Sequence, residues 1–149
     1  MKIAIGSDHA GFPLKKEVMK YLREKDMKFE DFGTFSEDSC DYPDYALKVA
    51  EEVSNKNYDF GILICGTGIG ISIAANKVPG VRAALCGDTF SAHASREHNN
   101  ANILALGQRV TGSGLAVDIV DTFLSAEFQG GRHQRRIDKI TEIEKKYSK

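Results

Sequence analysis

Short apolar runs alternate along the chain with longer segments in which apolar residues recur every three or four positions. The run at residues 60–65, Phe-Gly-Ile-Leu-Ile-Cys, is the most hydrophobic, as expected of a central strand buried on both faces. This alternation is typical of a parallel α/β sheet with crossover helices. The predicted strands are residues 2–6, 28–33, 60–65, 81–86 and 103–106.

The segments between these strands have the patterns of amphipathic helices. Pro13 suits the first turn of a helix, and Asp44 can cap a second helix that runs to about Lys56. A glycine loop at residues 66–70 opens a third helix, which runs through about Lys77. Further helices are predicted at residues 89–98, on the stripe Leu115, Ile119, Val120 and Phe123, and on the stripe Ile137, Ile140 and Ile143.

These elements predict a single α/β domain over residues 1–149, with a five-stranded parallel sheet, helices on both faces and a Rossmann-like layout. The natural strand order for five such units is the flavodoxin-like order 2-1-3-4-5. In that order strands one and three are neighbours, and ligands bind at their carboxyl ends. The last helix carries an isoleucine stripe, so we expect it to pack on a second subunit.

Composition narrows the class of protein. The 149-residue chain is 42% hydrophobic and has a formal net charge of −1, which does not favour binding to nucleic acid or to a membrane surface. The three cysteines, Cys40, Cys65 and Cys86, have no paired spacing, and this indicates a reducing compartment. The N-terminus begins a strand pattern at once and no apolar run approaches membrane length, so we expect a cytoplasmic protein.

Glycines follow the third predicted strand in the run Cys-Gly-Thr-Gly-Ile-Gly at residues 65–70. Glycines there let backbone N–H groups turn toward a ligand, and the helix that follows adds its positive end. Such a loop can hold a phosphate or an oxyanion that develops during a reaction, and the spacing does not distinguish the two. It matches neither the dinucleotide-binding fingerprint, which follows a first strand, nor a P-loop, which needs Gly-Lys-Ser/Thr.

Reactive side chains stand next to these strand ends. Cys65 directly precedes the glycine loop, where a thiol can act as base or nucleophile, or can simply end a buried strand. Asp8 and His9 follow the first strand, where site residues of this fold lie, although Asp8 could instead cap its own loop. His98 ends the predicted fourth helix, where it either interacts with the helix dipole or carries protons.

A basic run, Gly-Gly-Arg-His-Gln-Arg-Arg at residues 130–136, starts the last helix. Arg132 and Arg136 share one helix face, so they either grip a phosphate together or lie in solvent. Arg109 follows the fifth strand, at the carboxyl end of the sheet. The four histidines show no metal-ligand spacing and no Cys-x-x-Cys pair occurs, so no metal site is expected.

Together these motifs resemble the type B ribose-5-phosphate isomerases of the ribose/galactose isomerase family. The resemblance spans essentially the whole chain and rests on Ser-Asp-His-Ala-Gly at 7–11, Asp-Tyr-Pro at 41–43, the stretch 65–77, Arg-Glu-His-Asn at 96–99 and the basic run at 130–136. It implies an enzyme of the pentose phosphate pathway that interconverts ribose 5-phosphate and ribulose 5-phosphate through an enediolate. It implies no cofactor, because this chemistry needs only a base, an acid and an oxyanion site.

The resemblance also implies a role for each site residue. Cys65 is expected to be the base that moves the proton between C1 and C2, with Thr67 assisting proton transfer at the neighbouring hydroxyls. His98 is expected to open the furanose ring, with Asp8 and Tyr42 close by. The implied donors to the enediolate oxyanion are the backbone amides of Gly66, Thr67, Gly68, Ile69 and Gly70, helped by Asn99. The implied phosphate ligands are His9, Arg109, Arg132 and Arg136.

In this family the site forms between two subunits, which implies a homodimer and leaves open a tetramer. One branch of the family replaces the cysteine by a glutamate just after the last glycine; that position is Ile71 here, which selects Cys65 as the base. Two other interpretations stay open. One is an isomerase of a six-carbon sugar phosphate such as allose 6-phosphate or galactose 6-phosphate. The other is a non-catalytic phosphate- or nucleotide-binding module, which would not need Cys65 and His98.

Overall fold

The computed structural model describes residues 1–148 and contains the five predicted strands in one sheet, with every strand pair parallel. The strands are β1 (Lys2–Ser7), β2 (Lys28–Asp31), β3 (Phe60–Cys65), β4 (Ala83–Leu85) and β5 (Ile103–Gly107). Their order across the sheet is β2-β1-β3-β5-β4. The carboxyl ends of β1, β3 and β5 therefore lie side by side at one edge of the sheet.

Helices cover both faces of the sheet. They are α1 (Phe12–Glu24), α2 (Tyr42–Ser54), α3 (Ile69–Ala75), α4 (Thr89–Glu97), α5 (Ser113–Ser125) and α6 (Arg132–Tyr147). Apolar side chains of α1, α4 and α5 form one buried cluster with one face of the sheet. Those of α2 and α3 form a second cluster with the opposite face. Successive strand residues alternate between the two clusters, because side chains of a strand point to opposite faces in turn.

The strand order corrects the predicted order 2-1-3-4-5 in its last two positions. β5, rather than β4, pairs with β3, in a register that sets Cys65 opposite Gly107. All five residues of β5 are buried, whereas β4 has three residues and none of them is buried. A strand that is apolar on both faces is stabilised in the interior of a parallel sheet, and a short, half-exposed strand suits the edge.

The second helix begins three residues earlier than the predicted cap allows. Asp41, not Asp44, precedes the first helical residue, Tyr42, and Asp44 lies in the first turn. Pro43 also lies in that turn, where its fixed φ and missing N–H suit a helix start. The early start places Tyr42 at the amino end of α2.

The last helix is only partly covered. Ile137 is 4% exposed, but Ile140 and Ile143 on the same stripe are 47% and 61% exposed. The packing of this helix on a second subunit stays a prediction. Within residues 1–148 the chain forms no helix with the length and apolar character that crossing a bilayer requires.

Candidate active site

A cleft of about 400 Å³ opens at the carboxyl edge of the sheet, beside the loops that follow β1 and β3. The chain leaves β1 for α1 on one face and leaves β3 for α3 on the other, so the cleft lies at the switch point where α/β proteins bind ligands. Its walls are Asp8, His9, Ala10, Tyr42, Cys65, Gly66, Thr67, Ile69, Gly70 and Arg109. All of these except Ala10 are predicted site residues. A cavity of about 430 Å³ elsewhere is lined by neither a thiol nor a histidine.

Cys65 is the last residue of β3 and is 5% exposed. The N–H of Gly68 donates a hydrogen bond to its sulfur, with an N–S distance of 3.1 Å. Gly68 has a φ of +81°, and a β-carbon there would lie 2.9 Å from the carbonyl carbon of Leu106. Only glycine fits both conditions without strain. The loop therefore folds back onto the sulfur, where an N–H dipole would stabilise negative charge.

Two other glycines of the loop let wall residues approach the backbone. A β-carbon at Gly70 would lie 2.7 Å from the ring of Tyr42. A β-carbon at Gly66 would lie 3.1 Å from Nη1 of Arg109. The aromatic ring and the guanidinium thus close over the loop from two directions, and both border the space next to Cys65.

Some of the predicted oxyanion donors have partners within the loop. The N–H of Gly68 points at the sulfur, and the N–H of Ile69 donates to the hydroxyl of Thr67 at 3.2 Å. An oxyanion in the cleft would have to share these two donors or use the other amides of residues 66–70. The oxyanion role of the loop stays a prediction.

Asp8 and His9 are held by hydrogen bonds to nearby loops. Asp8 is buried, and its Oδ1 accepts a hydrogen bond from the N–H of Gly11 at 3.0 Å, so it caps its own loop while it lines the cleft. Nδ1 of His9 accepts a hydrogen bond from the N–H of Cys40 at 3.2 Å. A ring nitrogen that accepts leaves Nε2 to carry the proton of the neutral imidazole and to act as a donor.

The remaining predicted residues lie outside this cleft. His98 and Asn99 directly follow α4. In the last turn of that helix the guanidinium of Arg96 lies 4.5 Å from the ring centroid of Phe60, the first residue of β3. Cys65 ends the same strand, five residue rises away, or roughly 16 Å. A single chain therefore does not bring His98 to Cys65.

His98, at the end of α4, lies against the start of α6 and forms with Arg132, His133 and Arg136 a group whose positive charge comes from the two arginines. Its ring stacks on that of His133, with centroids 4.4 Å apart and an interplanar angle of 12°. Burial lowers the pKa of His133, and the nearby charges of His98, Arg132 and Arg136 lower it further. Within residues 1–148 neither arginine forms an ion pair. An anion placed against this group would offset the repulsion among its members.

Two residues of these sites are absent from the sequence prediction. The backbone of Cys40 fixes the ring of His9, and His133 stacks on His98. Nothing in the sequence around Cys40 signals this contact, because it depends on how a distant loop packs. His133 stands between the two predicted phosphate-binding arginines, and that position is a signal that could have identified it.

The other buried thiol has the properties of a structural residue. Burial raises the pKa of Cys86 to about 11, so this thiol is protonated near neutral pH.

Ile71, at the position where a branch of the family carries a glutamate, is fully buried. No group of three metal-ligating side chains lies within the described residues.

The fold and the cleft define a class of protein: a parallel α/β protein with a thiol and anion-binding side chains at the switch point of its sheet. The chain belongs to the Ribose/Galactose Isomerase family, whose sequence model matches residues 3–140. It is an isomerase of that family.

Several relatives are similar over their full length. Ribose-5-phosphate isomerase B of Escherichia coli is 52% identical over 97% of this chain and 97% of its own. The structure of ribose-5-phosphate isomerase B from Clostridium thermocellum has a TM-score of 0.98 and 63% identity, with 99% and 100% of the two chains covered. The Mycoplasma genitalium enzyme, solved with bound ribulose-5-phosphate, has a TM-score of 0.92 and 49% identity over 97% of this chain and 96% of its own.

Proposed function

We propose that this protein interconverts ribose 5-phosphate and ribulose 5-phosphate. The observation that carries the proposal is the sulfur of Cys65, held by a loop N–H in a cleft that also presents His9 and Arg109. Similarity to the Escherichia coli and Clostridium thermocellum ribose-5-phosphate isomerases supports the same substrate. Exchange between an aldose and a ketose needs a base next to a site for an oxyanion, and we assign these roles to Cys65 and to the amides of residues 66–70.

Cys65 is the proposed base. As a thiolate it removes the proton from C2 of the open-chain aldose, and the electron pair shifts toward the carbonyl to give an enediolate. The proton then returns to C1, while a second proton passes between the two oxygens with the help of Thr67. The aldehyde at C1 becomes an alcohol as the alcohol at C2 becomes a ketone, so no external oxidant or reductant takes part. Amides of residues 66–70 would stabilise the charge on oxygen.

The phosphate is proposed to lie between His9 and Arg109 of one chain and Arg132 and Arg136 of another. Within one chain, His9 and Arg109 lie with Cys65 at the carboxyl edge of the sheet. Arg132 and Arg136 lie with His98 at the amino edge. A twofold axis between two chains would let the amino edge of each face the carboxyl edge of the other. We therefore propose a homodimer with two shared sites, each completed by the positively charged group of the partner.

Ring opening is proposed for His98 of the second chain. It requires a proton to leave the anomeric hydroxyl and a proton to reach the ring oxygen. An imidazole performs such transfers well near neutral pH. Asp8 and Tyr42, which line the cleft, would contact the sugar hydroxyls during this step.

Replacement of Cys65 tests the proposal. Wild type is expected to convert ribose 5-phosphate to ribulose 5-phosphate, and a folded Cys65→Ala variant is expected to lose about 10³-fold or more of kcat, because the substitution removes the proposed base. Cys86→Ala, which changes the other buried cysteine, is the matched control and should keep wild-type turnover. Allose 6-phosphate is assayed in parallel.

Each outcome decides one part of the proposal. A Cys65→Ala variant with full turnover would reject Cys65 as the base. Much faster conversion of allose 6-phosphate would keep the chemistry and replace the substrate by a six-carbon sugar phosphate. A folded wild type that converts neither sugar would reject the enzymatic function and favour a phosphate-binding module.

A further inference from the structure

Residues 98–100 form a turn after α4 that carries His98 and Asn99. An arginine from another part of the chain holds the backbone of this turn. Arg82, just before β4, donates from Nε to the carbonyl oxygens of Asn99 at 3.0 Å and Asn100 at 3.2 Å, and from Nη2 to that of Asn100 at 3.0 Å. Both carbonyls lie beyond the C-cap of α4, His98, so the hydrogen bonds of that helix do not satisfy them. One planar guanidinium thus satisfies two successive carbonyls and fixes their relative orientation.

A second arginine binds the same turn. Nη1 of Arg96 donates to Oδ1 of Asn100 at 2.9 Å and to the carbonyl oxygen of Ala101 at 2.7 Å. Arg96 is 8% exposed, and its guanidinium packs on the partly buried ring of Phe60, which contacts the core. Because the ring is fixed by the sheet, the guanidinium is fixed too, and the turn is tied to the amino edge of the sheet.

The turn has a backbone conformation that benefits from this support. Asn100 has a φ of +46°, in the left-handed region, which asparagine tolerates better than most residues. His98 and Asn99, which precede it, are exposed. The position of both residues depends on the backbone that the two arginines hold, and stacking on His133 orients the ring of His98 as well.

Two cations at this position carry an electrostatic cost. Burial lowers the pKa of both Arg82 and Arg96, and repulsion from Arg82 lowers that of Arg96 further, while Glu144 raises that of Arg82. Neither arginine forms an ion pair within the described part of the chain. What the two arginines supply at this position is therefore the planar, multiple hydrogen-bond geometry of the guanidinium rather than a pairing of charges.

We propose that Arg82 and Arg96 are positioning residues of the active site, which hold the turn at residues 98–100 in the shape that places His98 and Asn99 in the cleft of the second copy. The inference rests on the proposed function, because it requires the shared site. It explains why two arginines bind one exposed turn at the edge opposite to Cys65.

Arg82→Met keeps the apolar stem of the side chain and removes its three hydrogen bonds. In a folded variant of unchanged oligomeric state, kcat for ribose 5-phosphate is expected to fall by about tenfold to a hundredfold, since a displacement of about 1 Å has effects of this size. Arg82→Lys should not restore wild-type kcat, because an ammonium cannot reproduce the planar arrangement in which Nε and Nη2 donate to two carbonyl oxygens. Arg23→Met, which changes an exposed arginine of α1, is the matched control and should leave kcat unchanged.

Mixed dimers distinguish a defect of the turn from a general loss of structure. When Arg82→Met and Cys65→Ala chains are refolded together, about half of the dimers contain one chain of each kind. In a mixed dimer, one site then contains both substitutions, and the other site contains neither. The unaltered site combines the cleft of the Arg82→Met chain with the turn of the Cys65→Ala chain. The mixture should recover about a quarter of wild-type activity.

Recovery would confirm that the Arg82 defect is confined to the turn, because the working site uses the cleft of the Arg82→Met chain. Absence of recovery in a mixture shown to contain mixed dimers would overturn the inference, as would an unchanged kcat for Arg82→Met. A mixture of Cys65→Ala with His98→Asn chains separates the two proposals. If that mixture recovers and the Arg82 mixture does not, the positioning role alone is wrong; if neither recovers, the shared site is wrong.

Discussion

The free energy of unfolding depends on pH in part through the side chain of His133. Burial, first of all, and then the charges of His98, Arg132 and Arg136 lower its pKa below the ordinary value of 6.5. In the interval between the lowered and the ordinary pKa, the folded protein binds fewer protons at this ring than the unfolded chain does. The free energy of unfolding therefore rises with pH through that interval, and this contribution is lost as pH falls below 6.5.

We predict that His133→Gln removes part of this pH dependence. Urea unfolding at about pH 7.5 and about pH 5.5 should show a larger loss of stability for wild type than for the variant, because glutamine does not titrate. Equal slopes for His133→Gln and wild type would contradict the prediction.

At the scale of elements, a buried lysine of α1 anchors the loop between β2 and α2. Lys15 is 0% exposed; its Nζ pairs with Asp31 at 2.6 Å and donates to the carbonyl oxygen of Thr34. Burial lowers the pKa of Lys15, and the hydrogen bond and charge of Asp31 oppose that shift. The same loop carries Cys40, whose N–H fixes the ring of His9. An element outside the cleft thus sets the tautomer of a residue inside it.

Lys15→Met is predicted to lower the free energy of unfolding by about 2–4 kcal/mol, because it leaves Asp31 and the Thr34 carbonyl without their partner. The carboxylate of Asp31 is 21% exposed, and water reduces the cost below that of a fully buried pair. Urea denaturation measures the change.

Two further variants make this measurement specific to the ion pair. Lys16→Met, at the exposed neighbouring position, should change stability by less than about 0.5 kcal/mol. Lys15→Met/Asp31→Asn should recover part of the loss, since the unpaired charge is removed. A double variant no more stable than Lys15→Met would show that the cost lies elsewhere.

Local patterns were sufficient to find the strands but not to order them. The predicted fourth strand spanned residues 81–86, longer than the fifth at 103–106, yet the paired part of the fourth is Ala83–Leu85. Competition between two apolar strands for the interior position is decided by burial on both faces, which a single run does not encode.

Every wall of the cleft except Ala10 is a predicted residue, because these residues follow a strand end or, like Tyr42, belong to a family motif. The bonds from Cys40 to His9 and from Arg82 to Asn99 were not, because they join distant parts of the chain.

Over the whole molecule, the candidate reactive groups fall at two opposite edges of one sheet. Cys65, His9 and Arg109 lie at the carboxyl edge, and the group around His98 lies at the amino edge. The exposed stripe of α6 begins next to that second group. The two features together favour an arrangement in which α6 packs on a second copy and delivers its charged end to the partner's cleft.

We predict that Ile140→Asp/Ile143→Asp yields a monomer with a loss of turnover of about 10²-fold or more, because each chain then holds only half of a site. Sedimentation and the ribose 5-phosphate assay, performed at the same protein concentration, check the two parts together. Lys139→Asp, on the same helix, is the charge-matched control and should stay dimeric and active. A fully active monomer would refute the shared site.

The interior position of β5 also determines how the sheet is completed during synthesis. β1, β2 and β3 can pair as soon as β3 has left the ribosome, but β4 pairs with β5, which is made about twenty residues later. At about 5–20 residues per second, β4 waits for about one to four seconds, and the free edge of β3, made about forty residues before β5, waits for about two to eight seconds. During this time an apolar strand edge is open to other chains. The arrival of β5 closes that edge and brings Arg109 onto Gly66, so the nascent sheet and its cleft are finished in one step.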